Sequence, residues 1–174
     1  MAFNEYGLLN PGEYELTIQQ LKKSLLVKGP QYIPWDSEWR EHLVTNLEEM
    51  VGQLWQVGIT KIFIDGSFVE DKAHPNDIDG YFECSAKDLE DIVLELNLIE
   101  PDKIWTWDHR SRKPYRMYEK KQLPMWHKYR VELFPHFGQF CGITDEYGYE
   151  QQFPAAFRKT RDDFRQKGIV KIVK

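Results

Sequence analysis

The sequence predicts an α+β fold, in which a small mixed sheet has helices packed on one side and a functional site at its strand ends. The chain of 174 residues has the length of one ordinary domain. A helical apolar repeat covers residues 36–58, and the apolar run 59–65 that follows it predicts a buried strand. Residues 78–84 predict a neighbouring strand. These observations together favour helices packed on a sheet.

The N-terminal residues predict an arm and a short helix. Residues 1–12 predict an extended arm that closes with a Pro-Gly turn. Thr17, followed three residues later by Gln20, forms a capping-box pattern and predicts a helix to about Lys28.

A longer helix is predicted next, capped by Asp36 or Ser37 and ended by Gly58. Its apolar residues recur every three to four positions, which gives the helix one buried face. They are Trp39, Leu43, Leu47, Met50, Val51, Leu54 and Trp55.

The later elements are less regular. Ser85 with Asp88 predicts the start of another helix, whose inner face would comprise Leu89, Ile92, Val93 and Leu96. The pattern of residues 103–127 leaves helix and loop open. Residues 129–134 predict a strand with Glu132 and Phe134 on one face. Residues 153–165 predict a helix interrupted by turns, and residues 168–173 predict a final strand or an apolar clasp.

Composition limits the classes of protein to which the chain can belong. The apolar fraction is 41% and the mean hydropathy is -0.61, and no apolar run has the length that spans a bilayer. The N-terminus lacks the pattern of a signal peptide. Two cysteines, Cys84 and Cys141, do not form a disulfide framework. We therefore expect a cytoplasmic protein that does not bind membranes, with both thiols reduced.

The net charge of -5 is unevenly distributed. Residues 1–102 are strongly acidic, whereas residues 103–130 and 155–174 are basic. Such asymmetry can mark a site for an anionic ligand, or the two parts can neutralise each other across the fold. Nucleic acid is an unlikely partner for a chain with a pI of about 5.6.

The candidate site centres on Asp77 and Asp79. Side chains two residues apart on a strand point the same way, so these carboxylates would share a face. Glu132 could join them from a neighbouring strand. Three carboxylates form an all-oxygen site, which suits Mg²⁺ or Mn²⁺. The alternative for Glu132 is an ion pair with Arg130.

A phosphate-binding element is predicted just before this pair. Gly66 and Ser67 follow the buried strand, and backbone N–H groups and a hydroxyl at such a position can bind phosphate oxygens. Lys72 could reach a phosphate as a point charge. A helix is expected to follow Ser67 and to begin at Phe68.

Gly66-Ser67, nine further residues and Asp77-Ile78-Asp79 resemble the signature of the DNA-polymerase-beta-type nucleotidyltransferase superfamily. The wider pattern, Asp-Gly-Ser-Phe with Pro-Asn-Asp-Ile-Asp, is similar to that of a group of small bacterial and phage members. Pro11-Gly12 at one end, and Arg161-Asp162 with the closing Lys167-Gly168-Ile169-Val170 at the other, extend this likeness to both ends of the chain. Glu132 stands where the superfamily usually has aspartate, and Gly80 stands where it usually has a bulky hydrophobe.

The resemblance implies a metal-dependent transfer of a nucleotidyl group from a nucleoside triphosphate to a hydroxyl acceptor. Asp77, Asp79 and Glu132 would hold Mg²⁺, and Gly66, Ser67 and Lys72 would hold the triphosphate. A partner protein could supply the acceptor or be the acceptor. The alternative is an inactive member that serves as a nucleotide sensor or a protein-interaction module.

The predicted organisation is a single domain over residues 1–174. Within it, residues 1–30 form the N-terminal arm and helix, residues 58–135 form the core with the candidate site, and residues 136–174 form a C-terminal extension.

Overall fold

A five-stranded mixed sheet organises the fold in the computed structural model, which describes residues 1–116 and 118–174. The strands are β1 (Glu13–Thr17), β2 (Ile62–Asp65), β3 (Ile78–Glu83), β4 (Val131–His136), β5 (Phe140–Thr144), β6 (Glu150–Gln152) and β7 (Ile169–Val173). The order in the main sheet is β1-β7-β2-β3-β4, and β5 pairs with β6 in a second, two-stranded sheet. The predicted α+β class is confirmed.

The main sheet combines parallel and antiparallel pairs. Strand β1 runs parallel to β7, and β3 runs parallel to β4. Strand β2 lies antiparallel to both of its neighbours, β7 and β3. The predicted neighbours β2 and β3 therefore do lie side by side.

The helices are α1 (Ile18–Lys23), α2 (Leu25–Lys28), α3 (Ser37–Gln56), α4 (Leu89–Ile99), α5 (Pro124–Tyr129) and α6 (Phe153–Ala156). Residues of α1 to α5 pack against one face of the sheet and enclose the larger hydrophobic core. The longest helix, α3, begins as predicted, because the Asp36 carboxylate accepts a hydrogen bond from the Trp39 amide at 3.0 Å. Among the described residues, no helix is long and apolar enough to cross a membrane.

Two helix boundaries differ from the prediction. The capping box of Thr17 and Gln20 is present, but the helix that it starts breaks at Ser24, which has an extended backbone and caps α2 through its own hydroxyl. The later helix begins at Leu89 after Asp88, not at Ser85. At Ser24, the serine hydroxyl hydrogen-bonds to nearby backbone and decides where α2 begins, whereas Asp88 precedes α4 without a side-chain capping hydrogen bond.

The opposite face of the sheet is only partly covered. Its smaller apolar cluster contains Phe63, Tyr81 and Ile169 from the strands and Phe153 and Phe157 from α6 and the residue after it. The Phe63 and Tyr81 rings stack with their centroids 4.8 Å apart. Helix α6 thus lies on this second face. The prediction that all helices pack on one side of the sheet is therefore wrong. The uncovered remainder of the face forms the candidate site.

The C-terminal residues belong to the centre of the fold. Strand β7 lies between β1 and β2, and the Gly168 amide donates to the Leu9 carbonyl at 2.8 Å. The final strand was predicted from its apolar run, but its inner position means that residues 136–174 are not an appended extension. Both ends of the chain help to build the sheet that carries the site.

Candidate functional site

Carboxylates from three adjacent strands form a row across the partly covered face. Asp79 on β3 pairs in register with Asp65 on β2 and with Glu132 on β4. Residues paired in register point to the same face of a sheet. The alternation along β3 confirms this direction, since Ile78 and Phe82 enter the helix-covered core whereas Tyr81 enters the smaller cluster.

Asp77 lies on the same face, immediately before β3, as its i, i+2 spacing from Asp79 predicts. The Trp126 indole N–H donates to Asp77 Oδ2 at 2.7 Å. The Arg130 guanidinium lies over the Trp126 ring at 3.8 Å from its centroid. This arrangement, which orients Asp77, explains part of the aromatic and basic segment whose structure the sequence left open. Arg130 stacks on an aromatic ring here. Among the described residues, it does not form the ion pair with Glu132 that the sequence offered as an alternative.

Gly66 is required at its position. Its φ is +72°, in the region that favours glycine, and a Cβ there would lie 2.3 Å from Asp79 Oδ2. The turn after β2 therefore passes directly against the central carboxylate. Gly80 stands where the resemblance led us to expect a bulky hydrophobe. A side chain has no room there, since a Cβ would lie 2.3 Å from the Phe63 carbonyl oxygen.

The central carboxylate is strongly perturbed. Burial, together with repulsion from Asp77 and Glu132, raises the pKa of Asp79 to about 8. Burial also raises the pKa values of Asp77 and Glu132, although nearby cationic groups oppose the shift. Like charges crowded in a poorly solvated cleft are unstable unless a proton or a cation joins them. The cluster is therefore short of positive charge.

Asp65 is a fourth carboxylate whose role the sequence analysis did not recognise. It is only 3% exposed, and its Oδ1 atom has no hydrogen-bond partner among the described residues. Burial raises its pKa to about 7, against the opposing charge of Lys167. Its place at the end of β2, two residues after Phe63 and directly before Gly66, was a usable signal for its position on this face.

Lys167 is a buried cation that connects the C-terminal segment to the site. Its Nζ lies 3.1 Å from Asp65 Oδ2, 3.0 Å from Glu70 Oε1 and 3.5 Å from the Gly66 carbonyl oxygen. Burial acts to lower the pKa of Lys167, but the carboxylates of Asp65 and Glu70 outweigh it and the pKa is raised. Lys167 therefore stays charged and fixes the turn at Gly66.

Glu132 occupies the outer end of the row. Its Oε1 accepts a long hydrogen bond of 3.4 Å from the Leu123 amide and lies 3.7 Å from the Arg112 guanidinium. Because Arg112 also donates to the Lys121 carbonyl at 3.1 Å, it is held beside the cluster by the basic segment.

The element after Gly66 differs from the prediction. A 3-10 helix of four residues, Gly66–Val69, replaces the helix expected to begin at Phe68, and Glu70 already has an extended backbone. The buried guanidinium of Arg40 from α3 holds this segment by donating to the carbonyls of Phe68, Glu70 and Lys72 at 2.6–3.1 Å. The segment is thus fixed from the core, which local spacing could not reveal.

An open cleft of about 1210 Å³ brings these groups together. Asp77, Asp79, Glu132, Gly66 and Ser67, all predicted site residues, line it. Lys72 is exposed and is not among the described residues that line the cleft, although its charge opposes the rise in the pKa of Asp77. The far wall is apolar and includes Phe134, Ile143, Phe153 and Phe157.

The arrangement is not a preformed metal centre. Across residues 1–116 and 118–174, no three His, Cys, Asp or Glu side chains are already grouped so that they could hold a metal ion. The carboxylates share a face, but Asp77 and Glu132 are turned toward Trp126 and toward Arg112 and the Leu123 amide. The chemistry that the arrangement offers is an oxygen-rich, poorly solvated cleft with excess negative charge.

The fold and the site thus define an α+β protein with an acidic cleft at the strand ends. The family model described as "Family of unknown function (DUF6932)" matches residues 1–173, and the chain belongs to this family. No curated protein and no solved structure matches the chain.

Proposed function

We propose that this protein is a metal-dependent nucleotidyltransferase that moves a nucleotidyl group from a nucleoside triphosphate to a hydroxyl acceptor. One observation carries the proposal: Asp79 lies in register between Asp65 and Glu132 on three adjacent strands, with Asp77 on the same face. The Gly66-Ser67 turn passes against the same carboxylate. Signature residues far apart in the sequence therefore line one cleft.

The donor set fits Mg²⁺ or Mn²⁺. Every candidate ligand is a carboxylate oxygen, which hard divalent cations prefer. The unpartnered Oδ1 of Asp65 and the raised pKa of Asp79 both indicate a missing positive charge. Asp77, Asp79 and Glu132 would hold the ion once their side chains turn toward one another. Bound there, the ion would neutralise phosphate charge and favour the ionised form of the acceptor hydroxyl.

The reaction transfers a nucleotidyl group, and the bond changes take place at its α-phosphorus. The acceptor oxygen forms a bond to the α-phosphorus as the bond from that phosphorus to the bridging oxygen of the β-phosphate breaks. Pyrophosphate leaves, and the acceptor proton passes to a carboxylate of the cluster or to water. The Ser67 hydroxyl and the backbone at Gly66 would bind phosphate oxygens, and Lys72 would add a point charge from the rim.

The apolar wall supplies a place for the rest of the substrates. The aromatic rings of Phe134, Phe153 and Phe157 line the cleft beside the carboxylates, and flat apolar groups pack well against such rings. A nucleobase or the side chain of an acceptor would fit this wall. Because the cleft is open, an acceptor hydroxyl on a partner protein could reach it.

A specific observation favours a second function, that of a nucleotide sensor or protein-interaction module. Asp77 and Glu132 already have hydrogen-bond donors within the protein, so these carboxylates also stabilise the local structure. A fold that kept them for this reason alone would bind a nucleotide or a partner without turnover. Release of pyrophosphate distinguishes the two functions.

The first experiment measures thermal unfolding of the wild type and of the Asp77→Asn/Asp79→Asn variant with a panel of nucleoside triphosphates, with and without Mg²⁺. A ligand that binds the native state raises Tm by mass action. We expect one triphosphate to raise Tm only with Mg²⁺ and only in the wild type. Wild type incubated with that triphosphate, Mg²⁺ and candidate acceptors should release pyrophosphate, whereas the double aspartate variant should not.

The control is Glu83→Gln, which removes a carboxylate from the same strand outside the cleft. A Tm shift that persists in the double aspartate variant would contradict the role of the pair. Binding without pyrophosphate release over a broad acceptor panel would favour the sensor, and no Tm shift with any triphosphate would favour the interaction module.

A further inference from the structure

A hairpin near the C-terminus overhangs the carboxylate cluster. Lys159 and Gln166 form an isolated bridge, and the Thr160 amide donates to the Arg165 carbonyl at 2.9 Å. The Thr160 hydroxyl accepts from the Arg165 amide at 2.8 Å and also contacts Asp163. This segment, the 159–166 hairpin, is thus closed by its own hydrogen bonds, and most of its residues line the cleft.

Most cationic groups along the cleft already have acidic partners. Arg112 lies near Glu132, Lys159 pairs with Glu146, and Arg165 pairs with Asp163. Lys167 pairs with Asp65 and Glu70. Because these cations are already paired within the protein, they would attract an incoming anion less strongly.

Two cationic groups that line the cleft, Lys120 and Arg161, have no acidic partner among the described residues. Arg161 is the one carried on the 159–166 hairpin. It lies near the tip of the 159–166 hairpin, it is exposed, and its side chain makes no ion pair or hydrogen bond with any residue that the structure describes. Its charge nevertheless acts to lower the pKa values of Asp77, Asp79 and Glu132, against the burial that raises them. Arg161 therefore lines the same cleft as the carboxylates and has a free guanidinium.

The short element that begins at Gly66 provides little positive potential for a triphosphate, and Arg161 can provide more. A 3-10 helix of four residues offers few free N–H groups, and the nearby Glu70 is negative and bound to Lys167. A triphosphate beside three carboxylates brings more negative charge than divalent cations alone would balance. A guanidinium forms paired hydrogen bonds with phosphate oxygens and suits this task.

We propose that Arg161, carried on the 159–166 hairpin, binds the outer phosphates of the nucleoside triphosphate and holds the pyrophosphate as it leaves. This inference rests on the proposed function, since the α-phosphate must lie at Asp77 and Asp79 for the outer phosphates to extend toward the hairpin. It gives the C-terminal residues a direct part in binding the substrate.

The test uses inorganic tripolyphosphate with Mg²⁺ as the probe, because it contains the phosphates without a base. Calorimetric titration of the full chain should show binding that Arg161→Gln weakens about tenfold or more, with partial recovery in Arg161→Lys. Asp162→Asn, which removes a negative charge from the same hairpin, should strengthen binding. Arg161 is exposed, so an unchanged Tm would show that the variants fold.

The charge-matched control is Arg110→Gln, since Arg110 lies outside the cleft and pairs with Asp108. It should change the affinity less than about twofold, as expected for a remote surface charge. Arg161→Gln binding as tightly as the control overturns the inference.

Failure of the inference is distinguishable from failure of the proposed function. If Asp77→Asn/Asp79→Asn abolishes binding and Arg161→Gln does not weaken it, the metal site stands and Arg161 is excluded. If Arg161→Gln weakens binding and the double aspartate variant does not, the anion site stands without the transferase. Wild type that binds no tripolyphosphate overturns both.

Discussion

Two buried carboxylate sites in this molecule have opposite electrostatics. Glu100, at the end of α4, is 2% exposed, and both of its oxygens are fully engaged. Oε1 accepts from Lys128 and the Asp102 amide, and Oε2 accepts from Gln53 and Tyr129, all at 2.5–3.1 Å. Asp65 is buried to a similar degree, but its Oδ1 has no partner among the described residues.

The pKa values follow this difference. Burial acts to raise the pKa of Glu100, but its hydrogen bonds outweigh burial and lower the pKa to about 2. At the cleft, burial dominates, and the pKa values of Asp65 and Asp79 rise to about 7 and about 8. A buried carboxylate with all its partners stabilises a fold, whereas buried carboxylates that are only partly partnered indicate a site that a ligand completes.

The largest expected effect is at the satisfied site. Glu100→Ala leaves Lys128 without its buried partner and Gln53 and Tyr129 without an acceptor, so we expect a loss of about 3 kcal/mol in the free energy of unfolding. Urea denaturation measures it. The matched control is Asp102→Ala, which removes the other, 67% exposed partner of Lys128 and should cost less than about 1 kcal/mol. Equal losses in the two variants would mean that burial of Glu100 adds nothing.

A smaller effect is expected where the backbone presses on the acidic cluster. Gly66→Ala places a Cβ at φ +72° and 2.3 Å from Asp79 Oδ2, so we expect a loss of about 2 kcal/mol. Gly58→Ala is the control, since Gly58 has φ +82° but nothing within 4 Å of an added Cβ. It should cost only the backbone strain, about 1 kcal/mol.

A double-mutant cycle tests whether the contact with Asp79 is the cause. In an Asp79→Ala background, Gly66→Ala should cost less than in the wild type and approach the strain measured at Gly58. The oxygen 2.3 Å from the added Cβ is then gone, and only the Cβ of residue 79, at 3.1 Å, stays in close contact. If Gly66→Ala lowers the free energy of unfolding by as much in that background as in the wild type, the contact with Asp79 is not the cause of the loss.

The smallest effect has the opposite sign. Folding holds a proton on Asp79, whose pKa rises from 3.8 to about 8, so its contribution to stability is complete at low pH and is lost as pH rises through this range. Asp79→Asn removes that loss. In metal-free buffer at pH 8, we expect the variant to be more stable than the wild type by about 1 kcal/mol, and by less at pH 5.

Thermal and urea unfolding between pH 5 and pH 8 would measure this difference. Glu83→Gln, on the same strand but outside the cleft, should not increase stability. The opposite result would be a wild type more stable than Asp79→Asn at pH 8 without metal. It would show that the charged Asp79 has enough partners within the protein, as Glu100 does.

Much of the local structure could be predicted because it depends on neighbours in the sequence. The capping box at Thr17, the cap at Asp36 and the shared face of Asp77 and Asp79 follow from hydrogen bonds and spacings within a few residues. The break at Ser24 was missed although it is local, because the serine side chain competes with the helix in a way that apolar spacing does not record.

The charged groups around the carboxylates were harder to predict. Arg161 and Lys167 lie more than 80 residues from Asp77 and Asp79 in the sequence. The family likeness includes both residues, but their local context does not place them at the carboxylates. Arg40 is fully buried on α3, yet it reads in sequence as a polar position of an amphipathic helix. Its carbonyl partners in the segment after Gly66 can be identified only in the folded chain.

The sequence by itself determined the α+β class, the existence of most helices and strands, and the pairing of Asp77 with Asp79 on one face, because these depend on periodicity and local hydrogen bonding. Tertiary structure decided the rest: the insertion of β7 between β1 and β2, the row from Asp65 through Asp79 to Glu132, and the position of the 159–166 hairpin above it. The physical reason is that strand order and register are set by contacts between residues far apart in the chain, where burial and charge act on the assembled fold.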